Sequence, residues 1–339
     1  MNKGVEEWLE RLWQHDRRAI AKLISRVEDN LDRQQIMQAV HARTGAHLVT
    51  GITGPPGAGK SSLVDALTKQ YRQQGSQVGI VAVDPSSPIS GGAILGDRIR
   101  MQTHATDRNV FIRSMATRGS LGGVAAATAD VLRIVEAGGF TTMLLETVGV
   151  GQSEIEIMRL ADTVILVLNP GTGDGIQAIK AGIMEIADIY VVNKADLSGA
   201  ERLKNEITMM LEMNIANRAS KSTCSSDLES GNSAGWAWRP PVVSTNTFTN
   251  QGIAELLEQI VLHHNFLTAS GQLQVKRGEQ LQREVWRHVE HKVRTIFDDI
   301  WTNLGEAQLD VHLFDPYKMA DGFWTRIIES EKNSRNDPH

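Results

Sequence analysis

Short apolar runs alternate with stretches of helical spacing over most of this 339-residue chain. The runs at 47–52, 78–83, 110–113, 142–146, 163–169, 189–193 and 241–245 have the length and bounded apolar character of buried strands. Between them, sets such as Leu63, Ala66, Leu67 and Tyr71 recur at the spacing of one helix face. Strands alternating with helices predict an α/β fold, a mostly parallel sheet flanked by helices on both faces. Residues 1–44 read as helical, with Val5, Trp8, Leu9 and Leu12, then Ile20, Leu23, Ile24 and Val27, on apolar faces. The α/β pattern fills 45–265, a helical arm follows over 266–330, and 331–339 has the composition of a disordered tail. Ser220 to Pro241, rich in Ser, Gly and Asn, reads as a flexible insertion before the last strand.

The arm carries Leu281, Val285, Val289, Val293, Ile296 and Ile300, with Trp286, Phe297 and Trp301 beside them. Steps of three and four residues place the aliphatic set on one stripe. Such a stripe serves either to lie on the chain's own domain or to join a second subunit. Large aromatics are enriched at interfaces, so a homodimer is expected.

Composition narrows the setting. The apolar fraction of 41% supports a sizeable core, and a net charge of −5 gives no general attraction to nucleic acid or acidic membranes. The single cysteine, Cys224, allows no internal disulfide and sits in a polar stretch. No apolar run reaches the 18 or so residues that a membrane span needs. The acidic N-terminus does not read as a targeting signal, and a cytosolic location is expected.

Candidate chemistry starts at Gly54-Pro55-Pro56-Gly57-Ala58-Gly59-Lys60-Ser61, which matches the phosphate-binding loop G-x-x-x-x-G-K-[ST] at each fixed position. It follows an apolar run and opens a helical stretch with Ser62, the context that gives the motif meaning. Glycines let backbone N–H groups converge on an anion, Lys60 reaches the β/γ-phosphates, and Ser61 offers its hydroxyl to Mg²⁺. Asn193-Lys194-Ala195-Asp196 ends a later run as N-K-x-D. A carboxylate at Asp196 accepts from the N1–H and 2-amino group of guanine, whereas adenine would leave it unpaired. GTP/GDP is therefore expected in preference to ATP.

Acidic groups fall between these motifs. Asp84 ends one strand, Asp97 follows in Gly96-Asp97-Arg98, and a later strand ends in Glu146-Thr147-Val148-Gly149. Glu146 and Gly149 keep the spacing of the GTPase D-x-x-G, in which the acid serves magnesium and the glycine N–H the γ-phosphate. Mg²⁺ takes one or two carboxylates with phosphate oxygens and water, so Ser61, Asp84, Asp97 and Glu146 form the candidate metal set. No glutamine stands where efficient GTPases orient water, which predicts slow hydrolysis without a partner.

Several long strings then align with one family. Asp84-Pro85-Ser86-Ser87-Pro88, Gly91-Gly92-Ala93-Ile94-Leu95-Gly96-Asp97-Arg98-Ile99-Arg100-Met101, Arg113-Ser114-Met115-Ala116-Thr117-Arg118-Gly119-Ser120 and Glu146-Thr147-Val148-Gly149-Val150-Gly151-Gln152 resemble the MeaB/ArgK GTPases. The resemblance implies a P-loop GTPase that is homodimeric and acts as chaperone to an adenosylcobalamin-dependent acyl-CoA mutase of the methylmalonyl-CoA type. GTP binding and hydrolysis would gate delivery of the cofactor, protection of the mutase and release of damaged cofactor. It further implies that Gln177 and Lys180, in Gly171-Thr172-Gly173-Asp174-Gly175-Ile176-Gln177-Ala178-Ile179-Lys180, are drawn toward the nucleotide by the mutase and join Lys60 in catalysis. The loop against the guanine reads Ser244-Thr245-Asn246 here, where family members carry a Ser-Ala pair, and contact with the base is expected from its backbone.

Other chemistries fit less well. An ATPase or kinase of arginine/ornithine transport, a reading attached to ArgK relatives, leaves Asp196 unexplained. A nickel-delivering GTPase would want a His-rich tail or a Cys/His pair. Asp310-Val311-His312 resembles the start of a cobalamin-ligand motif but lacks its glycine, and Glu284, His288 and His291 read as a solvated helix face.

Overall fold

The structure is a computed structural model that describes residues 3–84, 104, 106–116, 121–147, 152–170, 181–222, 238–304 and 315–335. Three helices come first: α1 (Lys3–Trp13), α2 (Arg17–Glu28) and α3 (Arg33–His41). Asp16 caps α2 by accepting from the Arg18 amide, satisfying one of the donors that a helix start leaves without a partner. The α/β region then runs β1 (Val49–Thr53), α4 (Lys60–Gln73), β2 (Val78–Asp84), β3 (Val110–Ala116), α5 (Leu121–Ala137), β4 (Thr142–Thr147) and α6 (Gln152–Met158). It continues with β5 (Thr163–Leu168), α7 (Ala181–Ile186), β6 (Ile189–Asn193), α8 (Ala200–Ser222), β7 (Val242–Thr245) and α9 (Ile253–Ala269). Each apolar run of the sequence is thus a strand, shifted at its ends by at most a few residues. Helix α8 continues through Ser222, so the stretch expected to begin a flexible insertion at Ser220 begins inside a helix.

The seven strands form one parallel sheet in the order β3-β2-β4-β1-β5-β6-β7. Strand β1 lies between β4 and β5, and successive strands are added first to one side of it and then to the other. The strand ends there form a crevice, the place where open parallel sheets bind ligands.

Side-chain alternation divides the core. Ile80, Leu144, Ile165, Val167, Ile189 and Val191 meet Leu63, Val64 and Leu67 of α4 and Ile253, Leu256 and Ile260 of α9. Their strand neighbours Val81, Val83, Met143, Leu145 and Val164 face Val131, Ile134 and Val135 of α5, with α1–α3 in the same cluster. Burial of each such side chain stabilises the fold by about 1.5–3 kcal/mol, which makes β5, buried along its whole length, the spine of the domain. Polar ties fix the N-terminal helices as well. Arg33 pairs with the buried Asp130 of α5 at 2.6 Å, and Arg113 of β3 pairs with Glu28. The Glu136 carboxylate accepts from the amides of Gly45, Ala46 and His47.

The chain divides into two compact units, residues 1–276 and 277–339. The second holds most of α10 (Gln272–Leu304) together with α11 (Pro316–Arg335), so helix continues past residue 331. Phe297 and Trp301 of α10 pack with Phe323 of α11, at centroid distances of 4.7 and 5.9 Å. Two of the three aromatics that suggested an interface are therefore engaged within the arm. Trp286 remains 67% exposed, in line with exposed Leu281, Val285 and Val289. Among the described residues no helix is long and apolar enough to cross a membrane.

Candidate nucleotide site

The loop between β1 and α4 is built by close backbone approach. Gly54 has φ +147°, and a Cβ there would stand 2.1 Å from the Val167 carbonyl oxygen on neighbouring β5. Gly59 has φ +94°, and its Cβ would meet the Asn193 side-chain nitrogen at 2.2 Å. Only glycine fits either place. Pro56 and Gly57 at the tip are exposed, Pro55 half-buried and Ala58 buried. Lys60, almost fully buried, donates to the carbonyls of Gly54 at 2.8 Å and Pro55 at 3.1 Å, which folds its ammonium group back over the loop. Ser62 is exposed on the first turn of α4.

Register brings the magnesium candidates to the same edge. Ile52 of β1 lies beside Glu146 of β4, and Ser61 Oγ donates to Glu146 Oε1 at 2.7 Å. Both residues are buried, and Thr147 donates to Thr53 at 3.0 Å one step further along. A hydroxyl and a carboxylate in contact at a helix start form an all-oxygen donor set, the chemistry that a small hard cation selects. Asp84 closes β2 at the same sheet edge, two residues beyond the position paired with Glu146. Asp97, Gly149, Gln177 and Lys180 lie outside the described residues.

The N-K-x-D segment reaches this loop from the far side of β5. Residues Asn193 of β6 and Thr245 of β7 are in register, and Thr245 Oγ1 donates to Asn193 Oδ1 at 3.1 Å. The other end of the Asn193 amide donates to the Ala58 carbonyl at 2.9 Å. Lys194, in the left-handed conformation at φ +58°, donates to the Gly57 carbonyl at 3.1 Å. Asn193 and Lys194 thus brace the phosphate loop, while Asp196 alone of the motif stays exposed at the rim. Ser244 lies half-buried beside Val192.

Asn246 stands in contact with Asp196, a placement that sequence reasoning passes over. Its Nδ2 donates to Asp196 Oδ1 at 2.8 Å. The available signal was its position directly after the strand paired with β6, since a polar side chain there faces the N-K-x-D loop.

A phosphate loop, a buried Ser-Glu pair and an N-K-x-D segment around the central crevice of a parallel sheet define the class as a P-loop GTPase. A model of the family described as methylmalonyl Co-A mutase-associated GTPase MeaB matches residues 18–300, and the chain belongs to that family. A Pyrococcus abyssi protein is 45% identical over 96% of this chain and 97% of its own length. The Escherichia coli GTPase ArgK is 35% identical over 85% of each chain. The mouse methylmalonic aciduria type A homolog, a mitochondrial protein, is 38% identical over 70% of this chain and 53% of its own. Among solved structures, one titled as a LAO/AO transport system kinase superimposes with a TM-score of 0.65 at 26% identity, covering 96% of this chain and 98% of the other.

Proposed function

We propose that the chain is a GTP-binding, slowly GTP-hydrolysing chaperone that gates adenosylcobalamin delivery to an acyl-CoA mutase of the methylmalonyl-CoA type and protects or reactivates that mutase. The supporting observation is family membership, since the family is described by its association with methylmalonyl-CoA mutase and the mouse relative carries the name of a methylmalonic aciduria protein. The guanine preference rests on Asp196, whose carboxylate complements N1–H and the 2-amino group. The triphosphate would lie over the 54–61 loop, with Lys60 at the β/γ-phosphates and the Gly149 amide at the γ-phosphate. Ser61 and Glu146, with Asp84 and Asp97, would hold Mg²⁺, which when bound neutralises phosphate charge.

In this mechanism water attacks the γ-phosphate in line, and Lys60 with the loop amides takes up the spreading negative charge. Lys180 and Gln177, brought in when the mutase binds, supply the remaining stabilisation, as an arginine finger does. No covalent enzyme intermediate is required. The stripe of Leu281, Val285, Trp286 and Val289 would join a second copy, and the setting would be cytosolic. The solved relative's title names a transport kinase, and amino-acid transport is the competing reading. The Asp196 carboxylate favours guanine, and with it the chaperone.

The test is GTP hydrolysis by the purified protein with and without a methylmalonyl-CoA mutase from the same source, repeated with Lys180→Ala. A rise of roughly ten-fold or more on adding the mutase, lost in the variant, is expected. Rapid hydrolysis that ignores the mutase and survives the substitution would overturn the reading.

A further inference from the structure

We infer that Thr147 is a positioning residue that sets the end of β4 against the phosphate loop and so favours GTP over GDP, a role that rests on the GTP-binding reading above. GDP needs the 54–61 loop, whereas the γ-phosphate of GTP also engages the chain that leaves β4 toward Gly149. Recognition of GTP therefore depends on the spacing of two strand ends. A spacing fixed in advance removes an ordering cost from binding.

Two side-chain bridges fix it, one on each face of the sheet. Backbone register between β1 and β4 runs from Val49 beside Met143 to Ile52 beside Glu146. The next residues, Thr53 and Thr147, are joined through their side chains, with the Thr147 hydroxyl donating to Thr53 Oγ1 at 3.0 Å. Neighbouring side chains on a strand point to opposite faces. Glu146 meets Ser61 on the α4 side, so Thr147 lies on the side of α5, with Val83 in register beside it. Both threonines are fully buried, where water does not compete for their hydroxyls. On its other side β1 is held by β5, since Thr53 is in register with Leu166 and Gly54 lies close against the Val167 carbonyl. The threonine bond thus closes a continuous run of contacts from β5 through β1 and β4 to β2.

The two bridges answer differently to the nucleotide. Ser61 and Glu146 are candidate magnesium residues, and their oxygens release each other when they turn to a cation. Thr147 and Thr53 sit on the opposite face of the sheet, so their bond persists with either nucleotide. It holds the end of β4 in place when the other bridge opens. Thr147 touches no substrate atom in this role and acts through the strand that it ends.

The experiment is calorimetric titration of GDP, ADP and the β,γ-imido analogue of GTP, with Mg²⁺ present. The proteins are the wild type, Thr147→Val, Thr147→Ser, Thr53→Val and the double variant Thr53→Val/Thr147→Val. Valine keeps the branched shape of threonine without the hydroxyl, and serine keeps the hydroxyl. Thr147→Val is expected to weaken binding of the GTP analogue by about three- to ten-fold, with GDP binding changed by less than about two-fold. Thr147→Ser should retain the wild-type ratio of the two affinities. Once Thr53 is valine, Thr147→Val should cost nothing further, because the two residues act through one bond. If Thr147→Val does not fold, Thr53→Val supplies the same comparison by removing the acceptor. An unchanged ratio in the valine variants, a loss in Thr147→Ser as large as in Thr147→Val, or additive losses in the double variant would each overturn the inference. A wild type that binds ADP as tightly as GDP would instead bring down the GTP-binding reading, and the inference with it.

Discussion

Ser61 and Glu146, 85 residues apart in sequence, meet through a 2.7 Å hydrogen bond in the buried floor of the crevice. One opens the helix after the phosphate loop and the other sits at the end of the strand beside it, so the pair depends on the register between β1 and β4. A buried carboxylate paired with a hydroxyl suits a small hard cation that arrives with the nucleotide.

Glu146→Gln keeps an oxygen that can accept from Ser61 and removes the charge. Its unfolding midpoint should stay within a few degrees of wild type, while the Mg²⁺ concentration needed for half-maximal GTP binding rises about ten-fold or more. Titration of nucleotide binding against Mg²⁺ checks this, and an unaltered Mg²⁺ requirement would remove Glu146 from the metal set.

Gly54→Ala should be costly for the fold as well as for binding. The new methyl group would press on the Val167 carbonyl at 2.1 Å in a backbone conformation that L-residues rarely adopt. A loss of about 1–3 kcal/mol in denaturant unfolding is expected, together with weaker nucleotide binding. Unchanged stability would mean that the loop and β5 are not held as close as the structure shows.

At the opposite end of the sheet, His263 lies buried between Thr163, which it meets at 2.8 Å, and the ring of Trp238 at 4.7 Å. Burial pushes its pKa down to about 4, and that of neighbouring His264 likewise to about 4. The folded state therefore resists protonation that the unfolded chain accepts near pH 6.5. Stability from these groups is complete above about pH 6.5 and is lost as pH falls toward 4, on the order of a few kcal/mol for the pair. Asp188 nearby, raised by its own burial, acts in the opposite sense in the acid range and reduces the loss. Denaturant unfolding from pH 7.5 to 4.5 should show the decline, and His263→Gln should flatten it. A decline equally steep in that variant would place its origin elsewhere.

The exposed stripe of α10 gives a prediction about assembly. Trp286→Glu and Val289→Glu lie on the arm away from the Phe297, Trp301 and Phe323 cluster, so the arm's own packing should survive. Light scattering is expected to show a dimer for the wild type and a monomer for the double variant. A wild-type monomer at tens of micromolar would end the dimer proposal.

Much of this protein was set by local sequence. Short continuous apolar runs gave the seven strands of the sheet, because a strand covered on both faces must be apolar at nearly every position. The phosphate loop was legible because its function lies in backbone N–H groups, and the glycines that expose them occupy fixed chain positions. Distance along the chain hid the rest. Asn193 and Lys194 read as nucleotide contacts, and what the sequence did not show is that their side chains bond Ala58 and Gly57, an arrangement that required β6 to be placed two strands from β1. The meeting of Ser61 with Glu146, the hold of Asn246 on Asp196 and the engagement of Phe297 and Trp301 by Phe323 were decided only by the tertiary structure. Each joins residues whose local surroundings are independent, and the hydrogen bond or ring contact exists only after sheet order and register, or the folding-back of the arm, have closed the loop between them.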